Sequence, residues 1–298
     1  MAWVQAARLR TLPLSLSGII VGSALARKQG FFDISIFVLA ILTTIGFQIT
    51  SNFANDYGDG TKGVDNEDRV GPARVLQSGL LTPSKLRQGI IISVIISMLL
   101  AIGLIYISFK GESFAYILVF FVLGTFSIWA AIKYTMGSNP YGYKGLGDIF
   151  VFLFFGLLGV LGSMFLYTKS LDLVSVLPAV SIGLLCVGVL NLNNLRDVFS
   201  DKKYGKNTLV VKMGFENGKY YHSSLLLISF LCLLSYAWLD VSDILRSFYL
   251  LAFVPIFIHL KKVRDTKEPF KLDGELKKLA LSTFLLSVLF YLTVNNFL

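Results

Sequence analysis

The stretch "NFANDYGDGTKGVD", residues 52–65, decides how the rest of this chain is read. It follows directly on an apolar run that begins at residue 34 and is about 20 residues long, enough to cross a bilayer as a helix. A helix leaving hydrocarbon ordinarily stops at water, yet this one continues into amides and carboxylates spaced at helical intervals. With 55% hydrophobic and only 15% charged residues among 298, and a mean hydropathy of +0.70, the chain is excluded from the soluble globular class. Further runs of spanning length cover about residues 13–27, 34–53, 88–109, 114–134, 148–167, 174–195, 223–240, 244–260 and 279–297. They are continuously apolar with Gly and Ser scattered through them, unlike the short alternating segments of a β-barrel. The expected fold is an all-α polytopic membrane helical bundle of about nine transmembrane helices, forming a single domain over residues 1–298.

Basic residues orient the bundle, because cytoplasmic loops retain Lys and Arg. All but Arg27, Lys28, Lys110, Lys169 and Arg246 lie in the N-terminal segment and the loops after even-numbered spans. That places the N-terminus in the cytoplasm and, with nine spans, the C-terminus outside, as expected of a bacterial inner membrane. The net charge of +9 is thus one-sided and contacts membrane lipid, and it is no nucleic-acid patch. Cys186 and Cys232 fall inside spans and read as core residues. Arg8 and Arg10 precede the first span without a convincing cleavage site, so that span is expected to remain.

The polar excursions at residues 54–87 and 196–222 are separated by four spans and emerge on one membrane face. A faint echo joins them: Asn52-x-x-Asn55 is followed by Asp56 and Asp59, and Asn191-x-x-Asn194 by Asp197 and Asp201. At 100° per residue, Gln48, Asn52, Asn55, Asp56 and Asp59 share one stripe about 100° wide, and the second set falls within about a third of a turn. Acids at membrane depth are expensive and normally face a bundle interior where they have work to do. Four carboxylates brought together require a cation. Oxygen ligands with no neighbouring His or Cys suit magnesium better than zinc. Nearby bases suit an anion: Arg69, Arg74, Lys144, Arg196, Lys202, Lys203 and Lys206. A divalent ion and bases around a phosphorylated leaving group, with apolar helices for a greasy tail, point to a lipid diphosphate substrate. The competing class, an ion-coupled transporter, is disfavoured because the acids sit at helix ends and not at broken helices near the midplane.

These segments resemble the UbiA superfamily of intramembrane prenyltransferases. The stretches "RTLPLSLSGIIVGSALA", "QITSNFANDYGDGTKGVD", "YTMGSNPYGYKGLGD" and "LNLNNLRDVFSDKKYGKNTLVVKMG" are similar to its 1,4-dihydroxy-2-naphthoate polyprenyltransferase branch of menaquinone synthesis. Where the superfamily's first motif usually has a third Asp, this chain has Gly63, and the acid comes at Asp65. The resemblance implies transfer of a polyprenyl group from polyprenyl diphosphate to the naphthoate, with loss of CO2 and diphosphate, giving demethylmenaquinone. It implies that Asp56, Asp59, Asp197 and Asp201 hold Mg2+, with Asn52, Asn55, Asp65 and Asn194 as further oxygen ligands. Arg69, Arg74, Lys144 and Lys206 are the candidate diphosphate contacts. For the acceptor, Arg10, Tyr134 and Tyr143 are candidates, each equally readable as an interfacial residue. 4-Hydroxybenzoate, homogentisate or haem remain the alternative acceptors. His222 and His259 read as structural.

Overall fold

The computed structural model describes residues 1–64, 70–240 and 244–298. Thirteen α-helices follow in order: α1 Ala2–Ala7, α2 Leu12–Lys28, α3 Ile34–Thr61, α4 Pro83–Phe109, α5 Phe114–Lys133, α6 Gly147–Val151, α7 Ser163–Thr168, α8 Val176–Arg196, α9 Val198–Lys203, α10 Leu209–Met213, α11 Phe215–Asp240, α12 Phe253–Asp265 and α13 Asp273–Val294. Local chemistry sets several starts. Asp33 caps α3 by accepting from the amides of Ser35 and Ile36, at 2.7 and 3.3 Å. Thr82 caps α4 through the Lys85 amide, with Pro83 in the first turn where its missing N–H costs nothing.

Among the described residues, eight helical stretches are long and apolar enough to cross a membrane. The expected ninth, 244–260, is a 3-10 segment Ile244–Ala252 running into α12. Pro255 sits in the first turn of α12, and Lys261, Lys262 and Arg264 fill its end, so this run is helical throughout but mixed in type and polar at one tip. The first span is also compound, with α1 and a 3-10 turn Leu9–Thr11 ahead of α2. Outward faces are greasy: Ile92, Ile95 and Leu99 of α4 and Phe114 and Val122 of α5 are all more than half exposed, as lipid-facing side chains must be.

Inside, small residues and hydroxyls bring helices together. Gly156 lies in a π-helical stretch, Phe152–Gly162, that joins α6 to α7 and widens the helix beside α8. A Cβ on Gly156 would come within 2.6 Å of the Gly183 Cα and 2.9 Å of the Ala179 carbonyl oxygen, both backbone atoms of α8. Ser181 and Ser229 share a buried hydrogen bond of 2.7 Å between α8 and α11. A second, smaller core gathers Ala6 and Ala7 of α1 with Phe53, Val75, Leu81 and Leu86, so the N-terminal helix is packed over the loop that follows α3.

Substituting Gly156→Ala is expected to lower stability by about 1–3 kcal/mol, because α8 backbone cannot move aside locally. Gly103→Ala, at a position with nothing within 4 Å, is expected to be neutral or stabilising by up to about 1 kcal/mol. Thermal unfolding of the two variants in detergent checks both signs.

Candidate active site

A cavity of about 360 Å³ runs through the bundle. Its walls are mostly apolar and aromatic, with Phe120, Phe154, Phe155 and Leu166 among them, and the π-helical stretch supplies Leu158, Gly159 and Gly162. One strip is polar: Thr44, Gln48, Ser51 and Asn55, successive turns of α3 on one side. One turn beyond Asn55 the same side of α3 brings Asp59 into a small enclosed pocket with Asp197, Asp201, Asn193, Ser200, Arg74 and Lys206. The two acidic segments, well over a hundred residues apart in sequence, therefore meet at one end of the apolar cavity.

The second segment bends where it arrives. α8 ends at Arg196, the chain turns at Asp197 (φ −96°, ψ 10°), and α9 carries Asp201 one turn later, its amide donating to the Asp197 carbonyl at 2.8 Å. Gly205 at φ +72° then reverses the chain, and the Lys206 amide returns to the Asp201 carbonyl at 2.8 Å. The Asn207 amide donates to the Tyr143 carbonyl at 3.0 Å, fastening this turn to the loop after α5.

Each acid is met by a cation. The Lys206 ammonium stands 3.9 Å from Asp59 and 3.8 Å from Asp201. Tyr143 donates its hydroxyl to Asp59 at 2.7 Å. Arg196 grips both oxygens of Asp197, at 2.8 and 2.6 Å. Asp56 takes two guanidiniums, Arg8 in a close ion pair and Arg74 at 3.2 Å. Burial pushes the Asp201 carboxyl up to about 6, with Lys206 pulling it back and Asp197 and Asp59 adding to the rise. Burial alone would lower Lys206, but Asp59 and Asp201 overcome it and hold the ammonium well above its ordinary value. Burial likewise raises the Tyr134 phenol to about 12, so it stays protonated where it lines the cavity.

Of the residues expected at the site, Asp59, Asp197, Asp201, Arg74 and Lys206 come together in the pocket, and Tyr143 joins them through Asp59. Asp56 lies beside it, linked through Arg74. Asn55 and Tyr134 line the apolar cavity, and Asn55 accepts from the Thr135 hydroxyl at 3.3 Å. Asn52 is buried, but its amide donates to the Ala7 carbonyl at 2.8 Å and the Thr11 hydroxyl at 3.1 Å, bracing the first span. Asn194 is buried near the end of α8, while Lys144 and Arg10 are exposed and line neither space. Asp65 and Arg69 fall outside the described residues. Sequence reasoning passed over Arg8, which looked like a topology marker. Its left-handed backbone (φ 48°, ψ 55°) ends α1 and aims the guanidinium inward, and nothing in the local sequence announces that.

The donor set fits magnesium. Asp59 and Asp201 already converge on one cation, and the Asp201 Oδ2 atom is buried without a hydrogen-bond partner. Among the described residues no three acidic, His or Cys side chains form a cluster able to hold an ion unaided. That matches an ion taking one or two carboxylates and completing its shell with phosphate oxygens and water.

Replacing Lys206 with Met removes the shared counter-ion and leaves two buried carboxylates facing each other. The expected loss is about 3–5 kcal/mol of stability in metal-free protein, with Lys206→Arg much milder; chemical unfolding of both variants in detergent measures it.

The family model for the UbiA prenyltransferase family matches residues 15–294. The 1,4-dihydroxy-2-naphthoate octaprenyltransferase of Haemophilus influenzae is 44% identical over 97% of this chain and 94% of its own. That of Escherichia coli is 41% identical over 98% and 94%, and that of Mycobacterium tuberculosis 33% over 85% of each. Among solved structures, a UbiA homologue from Archaeoglobus fulgidus bound to DMAPP and Mg2+ superposes with a TM-score of 0.71 over the full length of both chains at 16% identity, a likeness of fold. With eight stretches of spanning length among its described residues and that family match, the chain is a multi-pass membrane protein of the UbiA prenyltransferase family.

Proposed function

We propose that the chain transfers a polyprenyl group from polyprenyl diphosphate to 1,4-dihydroxy-2-naphthoate, with loss of CO2 and diphosphate, giving demethylmenaquinone in its reduced, quinol form. The observation that carries this is the meeting of Asp59, Asp201, Lys206 and Arg74 at one end of a long apolar cavity. The 41–44% identity to octaprenyltransferases of that acceptor supports the choice of substrate.

In this reading the diphosphate sits at the acid pocket and the isoprenoid tail lies in the cavity. Lys206 and Arg74 contact diphosphate oxygens, and Lys144 belongs to the loop after α5. Asp59, Asp197 and Asp201 would hold Mg2+, with Asp56 beside them. An ion held by these carboxylates would supply positive charge to stabilise the departing diphosphate. The allylic C–O bond breaks, a carbon–carbon bond forms to the electron-rich ring, and the ring carboxylate leaves as CO2. The chain's own contribution is positioning and exclusion of water. Phe154 and Phe155 wall the cavity against hydrolysis of the allylic cation. Tyr143 orients Asp59, and the protonated Tyr134 presents a hydroxyl to the cavity. In this reading the basic bias favours the acid pocket and N-terminus at the cytosol and, with the run 244–265 counted as a ninth crossing, the C-terminus outside, in a bacterial inner membrane.

Asp59→Ala and Asp201→Ala are expected to remain folded in membranes and to lose magnesium-dependent diphosphate release by at least about 100-fold, as removal of a transition-state electrostatic group does. An assay of purified protein offering naphthoate, 4-hydroxybenzoate and homogentisate with one labelled polyprenyl diphosphate tests the acceptor. Prenylation of hydroxybenzoate in preference to naphthoate would overturn that choice while leaving the reaction class intact.

A further inference from the structure

The last helix, α13, reaches the acid pocket through Asp273. Its Oδ1 accepts from Arg196 Nη1 at 2.7 Å, while Arg196 gives Nε and Nη2 to the two oxygens of Asp197 and shares Nη2 with the Asn193 side-chain oxygen at 2.8 Å. Arg196 is 4% exposed and Asp273 47% exposed, so a buried guanidinium is bridged to the aqueous face by one carboxylate. We propose that Asp273 is a positioning residue for the metal site, acting through Arg196 to keep Asp197 available to a divalent cation.

The reason is charge. A guanidinium clasping both oxygens of a carboxylate makes a neutral pair with little left to offer an ion. Adding Asp273 to the same guanidinium turns that pair into a triad of net charge −1, and it divides the hold of Arg196 between two acids. Asp273 also fixes the plane of the guanidinium, and with it the direction of the Asp197 carboxylate. Its own support is rigid. Two residues further along α13, Glu275 is 1% exposed and accepts from Lys262 at 3.1 Å and Lys278 at 2.7 Å. Its other oxygen pairs with His259 Nδ1 at 2.8 Å, and His259 Nε2 meets His222 Nε2 of α11 at 3.0 Å. The first turn of α13 is therefore bolted to α11 and α12 by a buried chain of partners, and it delivers Asp273 to Arg196 from a fixed platform. Partners of this kind, one step behind a ligand, typically govern metal affinity by about 10–100-fold.

This inference rests on the metal assignment made above, so its test separates the two. Full-length protein in detergent is titrated with Mn2+ alone, read by the loss of the free-ion paramagnetic resonance signal, and metal-free unfolding temperatures are recorded alongside. Asp273→Asn keeps an oxygen for Arg196 but removes the charge. The expected result is binding at least about tenfold weaker, an unchanged metal-free unfolding temperature, and recovery in Asp273→Glu. Binding by Asp273→Asn as tight as, or tighter than, that of the unaltered chain, while Asp197→Ala loses it, overturns the positioning role and leaves the metal assignment standing. Binding by Asp197→Ala as tight as that of the unaltered chain overturns both.

Discussion

Four buried carboxylates are held at one end of an apolar bundle, and water is too scarce there to screen them. At about 4 Å and an effective dielectric near 20, one pair of like charges costs about 4 kcal/mol. The chain meets this by giving each acid a cation from a different part of the fold: Arg8 and Arg74 for Asp56, Lys206 for Asp59 and Asp201, Arg196 for Asp197. Much of the surrounding architecture follows from supplying those four side chains. The N-terminal helix is laid across the bundle so that Arg8 points inward, and the turn at Gly205 places Lys206 between two helices.

The same cations make the site receptive to a polyanion. A diphosphate and a divalent ion together bring both partners that these residues already know, so acids and bases can exchange partners with little repacking. Preorganisation of this kind reduces the reorganisation a polar reaction otherwise requires. The apolar part of the site is built differently. It depends on glycines that let the π-helical stretch and α8 approach at backbone distance, and on aromatic side chains that close the wall around the cavity. A widened helix at a binding cavity is a common use of π geometry.

Second-layer contacts tie the polar mouth to helices remote from both motifs. Asp273 reaches Arg196, and the chain from Glu275 through His259 to His222 ties α11, α12 and α13 to one another. The two histidines, structural by sequence, are internal links in that chain. Asn52 belongs to the same kind of framework at the other side, where it braces the carbonyl of Ala7 and the hydroxyl of Thr11.

By itself the amino-acid sequence determined the all-helical membrane class, the approximate spans and the two acidic segments, because a bilayer admits few backbones and taxes every buried charge. The fixed helical period also placed Asn55 and Asp59 on a common side of α3. The partners were decided only in three dimensions. Arg8 depends on a left-handed backbone residue, Asp273 on the docking of a helix 76 residues from Arg196's neighbour Asp197, and Tyr143 on a loop fastened by Asn207. Likewise the ninth apolar run could not reveal its mixed helical type, nor residues 152–162 their π geometry, since composition alone does not distinguish i→i+3, i+4 and i+5 hydrogen bonding. Periodicity reports which residues share a helix face; which residue from elsewhere meets that face is settled by packing.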